Sequence, residues 1–246
     1  MVNREIIKEI WLRDGYYSEE ILTKDELKKY KEECMRLFEE KSESPYKHPT
    51  DDSEILIDLL KHPRVVELVE ICMEADLGED VKVDALQDWM YLKPPGSLGR
   101  DVHQDIFYTH ANRGEIINTS IHLNSADKDN GGLFVYPGSQ NEHCQPIQVD
   151  EDRMRTNPVG WNNERGKPCF VPGDWVDGEW VEKYKKVYTN VKEGSVLLLH
   201  SHLIHGSEKN KSKDRWRTSF LTSYLKRGSH YNDGSDMTRK RINVYE

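Results

Sequence analysis

The alternation of apolar and polar residues divides the chain into a helical first third and a strand-rich remainder. In residues 22–41, LTKDELKKYKEECMRLFEEK, apolar residues recur at helical spacing, and Thr23 with Glu26 forms a capping-box pattern. Two further helices are predicted, in residues 52–62 and from Pro63 to near Gly78. Proline suits the first turn of a helix, and glycine suits its C-terminal cap.

After Gly78 the pattern changes to short apolar segments separated by Gly, Pro, Asn and Asp. Strands at this spacing predict a mainly β fold, an antiparallel sandwich or jelly roll. We expect one domain over residues 1–246, with a helical support over 1–80 and a core over 81–228. Residues 143–186 interrupt that core with a polar insertion containing three tryptophans. Such a long insertion suits either a lid over a site or a loop that the tryptophans fix in place.

Composition excludes several classes of protein. The 246 residues carry a net charge of -9, which disfavours general binding to nucleic acids or acidic membranes. No apolar segment approaches the roughly 20 residues that span a bilayer, and the charged N-terminus does not resemble a secretory signal. The four cysteines are widely spaced, which favours buried thiols over a zinc site or disulfides. We expect a cytoplasmic monomer or homodimer that acts on a small molecule.

Histidine and aspartate supply the first candidate chemistry. The segment HQDIFY, residues 103–108, reads as a strand, so that His103 and Asp105 would share one face. A lone His-x-Asp is expected by chance about once in a chain of this composition, and it needs support from elsewhere.

That support comes from residues 196–206, VLLLHSHLIHG, which read as one long strand. His200 and His202 would share a face and are expected to be structural or supporting groups. His205, at the strand end beside Gly206, is the better third ligand. Two imidazoles and one carboxylate suit ferrous iron, and zinc accepts them too, so the ligands alone do not select the metal.

Two arginines, Arg215 and Arg217, follow His205 at the start of an apolar strand. One of them is expected to point inward, where a buried guanidinium needs an anionic partner. The carboxylate of a ligand would serve, because guanidinium binds carboxylate through two parallel hydrogen bonds. Ser207 is placed to add a hydroxyl to the same group.

Five segments in order resemble the phytanoyl-CoA dioxygenase family of Fe(II)/2-oxoglutarate oxygenases: LQDWMYLKPPGS, HQD, DNGGLFVYPGSQ, GSVLLLHSHLIHGS and NKSKDRWRTSFLTSYLKRG. They span residues 86–228. The resemblance implies a double-stranded β-helix, a cupin-like jelly roll, preceded by helices. It also implies use of Fe(II), 2-oxoglutarate and O2, with release of succinate and CO2 as an unactivated C–H bond is hydroxylated.

The resemblance also implies roles for particular residues. His103, Asp105 and His205 would hold the iron, and the co-substrate would contact Arg217, Ser207, Gln87 and Trp89. The segment between His205 and Arg217 is one residue longer than the family pattern, which leaves Arg215 as a rival for the 2-oxoglutarate carboxylate. Substrate contacts are expected from Tyr108, His110 and Trp161.

The implied reaction leaves alternatives open. The carboxylate of Asp105 occupies the position that related halogenases leave to chloride, which favours hydroxylation over halogenation. Desaturation and ring closure remain alternatives, as does a cupin-like metal-binding protein or isomerase that does not use 2-oxoglutarate. A weaker alternative is oxidation of a protein or nucleic-acid side group. No obvious basic tract is present for the CoA phosphates, which disfavours phytanoyl-CoA, and the polar, charged insertion favours a small polar or anionic metabolite.

Overall fold

The computed structural model describes residues 3–143, 183–231 and 240–246, apart from the side chains of Asp101 and Phe107. The helices are α1 (Arg4–Asp14), α2 (Lys24–Lys41), α3 (Glu54–Leu60), α4 (Pro63–Leu77) and the short α5 (Ile106–Thr109). The strands are β1 (Tyr16–Glu20), β2 (Tyr46–Lys47), β3 (Val83–Lys93), β4 (Arg100–His103), β5 (Ile116–His122), β6 (Leu133–Val135), β7 (Val187–Tyr188), β8 (Ser195–His200), β9 (His205–Ser207), β10 (Arg217–Lys226) and β11 (Ile242–Asn243).

The three predicted helices are confirmed, and their end signals act as expected. Thr23 and Glu26 form a reciprocal capping box at the start of α2. Pro63 opens α4, which ends at Gly78 in the left-handed conformation, with φ 71°. The first helix, α1, was not predicted, although Ile7 and Trp11 stand one turn apart and are fully buried.

In the described ranges the strands form two antiparallel sheets. The larger has seven strands in the order β1-β8-β5-β10-β3-β11, with β2 also paired to β3, and the smaller has the order β4-β9-β6-β7. This arrangement is the expected jelly roll. Strands β1 and β2 come from the region predicted to be helical, so residues 1–80 contribute to the large sheet as well as supporting it.

Helices α1 to α4 cover the outer face of the large sheet. One hydrophobic cluster joins their buried residues to outward-facing residues of the strands, including Val196 of β8 and Phe220 and Tyr224 of β10. Cys34 and Cys72 lie within it as free thiols, and burial raises the pKa of Cys34 to about 12. Cys144 and Cys169 lie outside the described residues. None of the described helices is both long and apolar enough to cross a membrane.

The inner face of the large sheet has a different composition. Alternation along β10 turns Arg217, Ser219 and Leu221 toward the small sheet, where they line a cavity. The insertion predicted over 143–186, which includes Trp161, lies almost entirely outside the described residues. Whether it forms a lid or a fixed loop therefore stays a prediction.

Candidate metal centre and its cavity

Three side chains converge at one end of the cavity. His103, Asp105 and His205 each offer one ligand atom, and these atoms lie within 4.8 Å of one another. The Nε2 atom of His103 is 3.3 Å from Asp105 Oδ1, and that of His205 is 3.5 Å from Asp105 Oδ2. The structure therefore brings together the three residues that the sequence singled out, in an arrangement that suits a metal ion.

The local backbone of the first two groups differs from the prediction. Residues 103–108 are not a strand, because β4 ends at His103 and Asp105 adopts the right-handed helical conformation as the residue that precedes α5. The carboxylate thus reaches the metal site from a turn, and not by strand alternation. Asp105 begins a turn whose backbone is fixed, since Tyr108 N–H donates to its carbonyl at 3.0 Å.

The prediction of one long strand over residues 196–206 is wrong. Strand β8 ends at His200, the chain turns at Ser201 and His202, and β9 begins at His205 in the other sheet. Leu203 N–H donates to the carbonyl of His200 across this turn, at 2.8 Å. His205 therefore reaches the site because the chain changes sheets.

His200 and His202 are outside the group of three candidate ligands, as expected. His200 Nδ1 accepts from the backbone N–H of His202 at 3.0 Å, and its ring lies 5.7 Å from that of Trp11. Trp11 in turn donates to the carboxylate of Asp76 at 2.8 Å. Neither histidine lines the cavity, although the carbonyl of His202 accepts from Gln104, the residue between His103 and Asp105, at 2.7 Å.

The protonation of the candidate ligands suits metal binding. Burial, with the nearby Arg100 and His205, lowers the pKa of His103 to about 4, so its imidazole is neutral at neutral pH. His205 Nδ1 is 2.9 Å from the carbonyl of Leu203, and in the tautomer that donates there the Nε2 lone pair faces Asp105. Burial alone would raise the pKa of Asp105, but His205, His103 and Arg100 outweigh it and lower that pKa.

A chain of hydrogen bonds orients the Asp105 carboxylate. Asn118 Nδ2 donates to Asp105 Oδ2 at 2.6 Å, and the hydroxyl of Ser223 donates to Asn118 Oδ1. Gln87 Nε2 donates to that same Ser223 hydroxyl at 3.0 Å. Asn118 was not predicted, and it could have been suspected as a polar residue within a strand that is buried throughout. Partners of this kind fix the position of a ligating group.

The cavity beside the three groups has a volume of about 340 Å³. Arg217 lines it and is buried, and burial lowers its pKa to about 10. Its Nη1 donates to the carbonyl of Gly131, a glycine that adopts φ 81° in the DNGG turn. Its Nε has no hydrogen-bond partner among the described residues. A buried donor without a partner is costly, and a ligand carboxylate would satisfy it.

Arg215, the rival, lies on the surface. Its guanidinium makes a two-pronged ion pair with Asp127, at 2.6 and 2.9 Å. It does not line the cavity. Of the two arginines, only Arg217 is therefore placed to meet a ligand there.

Strand β3 contributes Tyr91, Leu92 and Lys93 to the cavity lining. Gln87 and Trp89 are absent from the cavity lining, which begins at Tyr91 and continues to Lys93. Trp89 stacks on the ring of Tyr91 with centroids 6.2 Å apart, and Gln87 acts through Ser223. Because residues on one strand face repeat every second position, Gln87 and Trp89 share a face with Tyr91 and Lys93 but lie outside the cavity lining.

Lys93 and Ser207 complete this end of the cavity. Burial, with the charges of Arg217 and Arg100, lowers the pKa of Lys93 to about 6. Ser207, which was predicted, accepts the backbone N–H of Arg100 at 2.9 Å through its hydroxyl oxygen. The hydroxyl hydrogen of Ser207 remains available to a ligand.

Of the predicted substrate contacts, Tyr108 lines the cavity and His110 does not. Tyr108 lines the cavity, and its ring centroid is 6.3 Å from that of His103. His110 does not line it: the residue ends α5 in the left-handed conformation, with φ 52°, and is exposed. The turn after α5 thus places His110 outside the described cavity, and its contact with a substrate stays a prediction. Trp161 lies outside the described residues.

Sequence comparison gives two matches. The family model for phytanoyl-CoA dioxygenase matches residues 13–219. Phytanoyl-CoA dioxygenase domain-containing protein 1 of Danio rerio is 26% identical over 148 residues, which cover 58% of this chain and 44% of that protein. The match thus spans less than half the length of this curated relative.

Comparison with solved structures gives the same architecture. The epimerase SnoN, solved in complex with Fe3+, alpha ketoglutarate and nogalamycin RO, has a TM-score of 0.73 at 18% identity, over 93% of this chain and 86% of that one. EctD from S. alaskensis with bound Fe has a TM-score of 0.68 at 18% identity, over 92% and 76%. The carbocyclase SnoK has a TM-score of 0.73 at 17% identity, over 96% and 88%. At these identities the likeness shows a shared fold.

Proposed function

This chain belongs to the phytanoyl-CoA dioxygenase family of Fe(II)/2-oxoglutarate oxygenases, and from that membership we propose that it hydroxylates an unactivated C–H bond of a small polar metabolite. The reaction would consume 2-oxoglutarate and O2 and release succinate and CO2. One observation carries the proposal: two imidazoles and a carboxylate converge beside a cavity that also holds a buried, incompletely bonded guanidinium.

The donor set fits ferrous iron. His103, Asp105 and His205 supply two imidazole nitrogens and one carboxylate oxygen, the combination typical of non-haem iron oxygenases. When bound, the iron with 2-oxoglutarate supplies the activation of O2 and the oxidation of the C–H bond. The chain itself orients two of the three ligands, through the carbonyl of Leu203 for His205 and through Asn118 for Asp105.

The far end of the cavity fits a dicarboxylate. Arg217 and Lys93 both line it, and each carries a pKa lowered by burial. A carboxylate placed between them would accept hydrogen bonds from both and offset the cost of burying their charge. We assign the distal carboxylate of 2-oxoglutarate to this pair, with the hydroxyl of Ser207 as a further donor.

We propose hydroxylation, although proteins of this fold carry out several different reactions. The structural neighbours include an epimerase and a carbocyclase, so the fold does not select the reaction. Asp105 would supply the carboxylate ligand that related halogenases lack, which favours hydroxylation over halogenation. A cupin that works without 2-oxoglutarate has no use for a buried guanidinium in its cavity, and Arg217 weighs against that alternative.

The test is succinate release from 2-oxoglutarate with Fe(II) in air, across a panel of amino acids, phosphonates, sugars and acyl thioesters. We expect succinate from the wild type, increased by one class of compound. Arg217→Met should raise the 2-oxoglutarate concentration needed for half-maximal rate by about 10- to 100-fold, the loss expected for hydrogen bonds to a charge. Arg215→Met, the matched surface control, should change it by less than about twofold.

The proposal fails if the wild type retains no iron and releases no succinate with any compound, including 2-oxoglutarate alone. It also fails in its assignment of the co-substrate site if Arg215→Met raises the 2-oxoglutarate requirement and Arg217→Met does not.

A further inference from the structure

Strand β5 turns three polar side chains toward the inner face of the large sheet. Asn118, Ser120 and His122 alternate along a strand that is buried throughout, so they share one face. In the pairing with β10, Ser120 lies opposite Leu221 and His122 lies opposite Ser219. Residues directly opposite each other point to the same side of a sheet, and these two residues of β10 line the cavity.

The three side chains form a row that runs from the metal site toward the buried guanidinium. At one end Asn118 donates to the carboxylate of Asp105 at 2.6 Å. At the other end lies His122, whose pKa is lowered to about 3 by burial and by the nearby charge of Arg217. Ser120 lies between them and lines the cavity. It therefore occupies the interval that 2-oxoglutarate would span.

One hydrogen bond joins the middle of this row to its far end. The Oγ atom of Ser120 is 3.3 Å from the Nε2 atom of His122. The imidazole is fully buried, and its Nδ1 has no partner among the described residues. In protein interiors an acceptor without a donor is found more often than an N–H without an acceptor. We therefore assign the proton to Nε2, which donates to Ser120.

This tautomer determines what the Ser120 hydroxyl offers to a ligand. A serine hydroxyl carries one donor hydrogen and two acceptor lone pairs. Because one lone pair accepts from His122, the hydrogen is left for an acceptor in the cavity. The imidazole is neutral at neutral pH, so it holds the hydroxyl without adding a positive charge beside Arg217.

We propose that His122 is a positioning residue for the co-substrate: its Nε2–H holds the Ser120 hydroxyl, which donates to the distal carboxylate of 2-oxoglutarate at Arg217. This inference rests on the proposed function and deepens it, since it adds a donor to the co-substrate site. His122 itself does not line the cavity and acts through Ser120.

The test measures the binding of 2-oxoglutarate without turnover, by calorimetric titration of Mn(II)-loaded protein in the absence of oxygen. Ser120→Ala should raise the Kd for 2-oxoglutarate by about 10- to 100-fold, since it removes a hydrogen bond to a charged group. His122→Leu should raise it by about 3- to 10-fold, because the hydroxyl remains but is no longer held in place. Ser18→Ala and His230→Leu, at an exposed serine and an exposed histidine, are the matched controls.

Oxalate locates the effect within the co-substrate site. It keeps two adjacent carbonyl groups that can bind a metal ion, and it lacks the distal carboxylate of 2-oxoglutarate. Because Ser120 and His122 are assigned to that carboxylate, both variants should bind oxalate within about twofold of the wild type.

A double substitution separates a positioning role from a merely structural one. In protein that already carries Ser120→Ala, His122→Leu should change the Kd for 2-oxoglutarate by less than about twofold, because the group it positions is gone. His122→Gln, whose amide also donates, should keep most of the wild-type affinity. The melting temperature without ligand shows whether each variant folds, and His122→Phe replaces the leucine variant if that one does not.

Each contrary outcome has a separate meaning. If the Mn(II)-loaded wild type binds neither 2-oxoglutarate nor oxalate, the proposed function fails. If it binds both, and Ser120→Ala leaves both affinities unchanged or weakens both equally, only the contact with the distal carboxylate is refuted. If the substitution at His122 weakens 2-oxoglutarate binding equally with and without Ser120, the positioning role of His122 is refuted.

Discussion

The two faces of the large sheet are built from the same strands but differ in their chemistry. Strand β10 sends Phe220 and Tyr224 outward into the hydrophobic cluster beneath the helices, and Arg217 and Ser219 inward to the cavity. Apolar burial on the outer face supplies stability, at about 1.5 to 3 kcal/mol for each large side chain. The inner face buries polar groups such as Arg217, whose Nε has no partner among the described residues, and burying such a group lowers the stability of the fold. The outer face of the large sheet thus supplies stability, and the inner face carries part of the candidate site.

This difference predicts that substitutions on the two faces change different measurements. The largest effect should come from His205→Ala on the inner side. Because the variant lacks one of three metal ligands, it should lose more than the roughly 10- to 100-fold in metal affinity that loss of a supporting group costs. Its metal-free melting temperature should stay close to that of the wild type.

Metal retained after gel filtration measures that effect, and His110→Ala, at an exposed histidine, is the control. If the His205 variant keeps its metal and the His110 variant loses it, the assignment of the ligands is wrong.

The next largest effect should come from a substitution on the outer face of the large sheet. Phe220→Ala removes a fully buried ring and should lower the free energy of unfolding by about 3 to 5 kcal/mol, measured by urea denaturation. Leu221→Ala, the neighbour that faces the cavity, should lose less than half as much. Equal losses at both positions would show that the inner face is packed as tightly as the core.

A smaller effect should depend on pH. Burial raises the pKa of Asp76 to about 6, although the hydrogen bond from Trp11 opposes the shift. A raised pKa means that the folded state favours the protonated acid, so the stability it contributes is present below about pH 4 and is lost as the pH rises through about 6.

Asp76→Asn imitates the protonated acid and still accepts from Trp11. The variant should match the wild type at pH 4 and exceed it by on the order of 2 to 3 kcal/mol at pH 8, by urea denaturation. A gap that narrows as the pH rises would contradict the shift.

The smallest effect should come from a group that supports a metal ligand. Asn118→Ala removes the hydrogen bond that orients Asp105, and metal affinity should fall by about 10- to 100-fold, or roughly 1 to 3 kcal/mol. Titration with Fe(II) under anaerobic conditions measures it. Ser223→Ala, one link further from the metal, should lose less. The proposed chain of hydrogen bonds is refuted if the loss at Ser223 is the larger.

Residues near one another in sequence determined much of what could be predicted. Helices α2 and α4 follow from the capping pair Thr23 and Glu26 and from Pro63 and Gly78, because caps act within one turn. The three candidate metal ligands were found from residue type and order, since few residues bind iron well. The resemblance to the family favoured Arg217 over Arg215, and Arg217 is the one of the two that lines the cavity.

Tertiary structure decided how these groups reach one place. Alternation assigns the face of a residue only while a strand continues, and β8 stops at His200 before His205 joins the other sheet. The irregular pairing of β4 with β9, in which Arg100 lies opposite Ser207 and His103 lies opposite His205, likewise joins residues far apart along the chain. Strand pairing is a contact between distant residues, and local sequence does not encode it. The candidate ligands and Arg217 could therefore be identified from the sequence, but only the tertiary structure brings them together at one site.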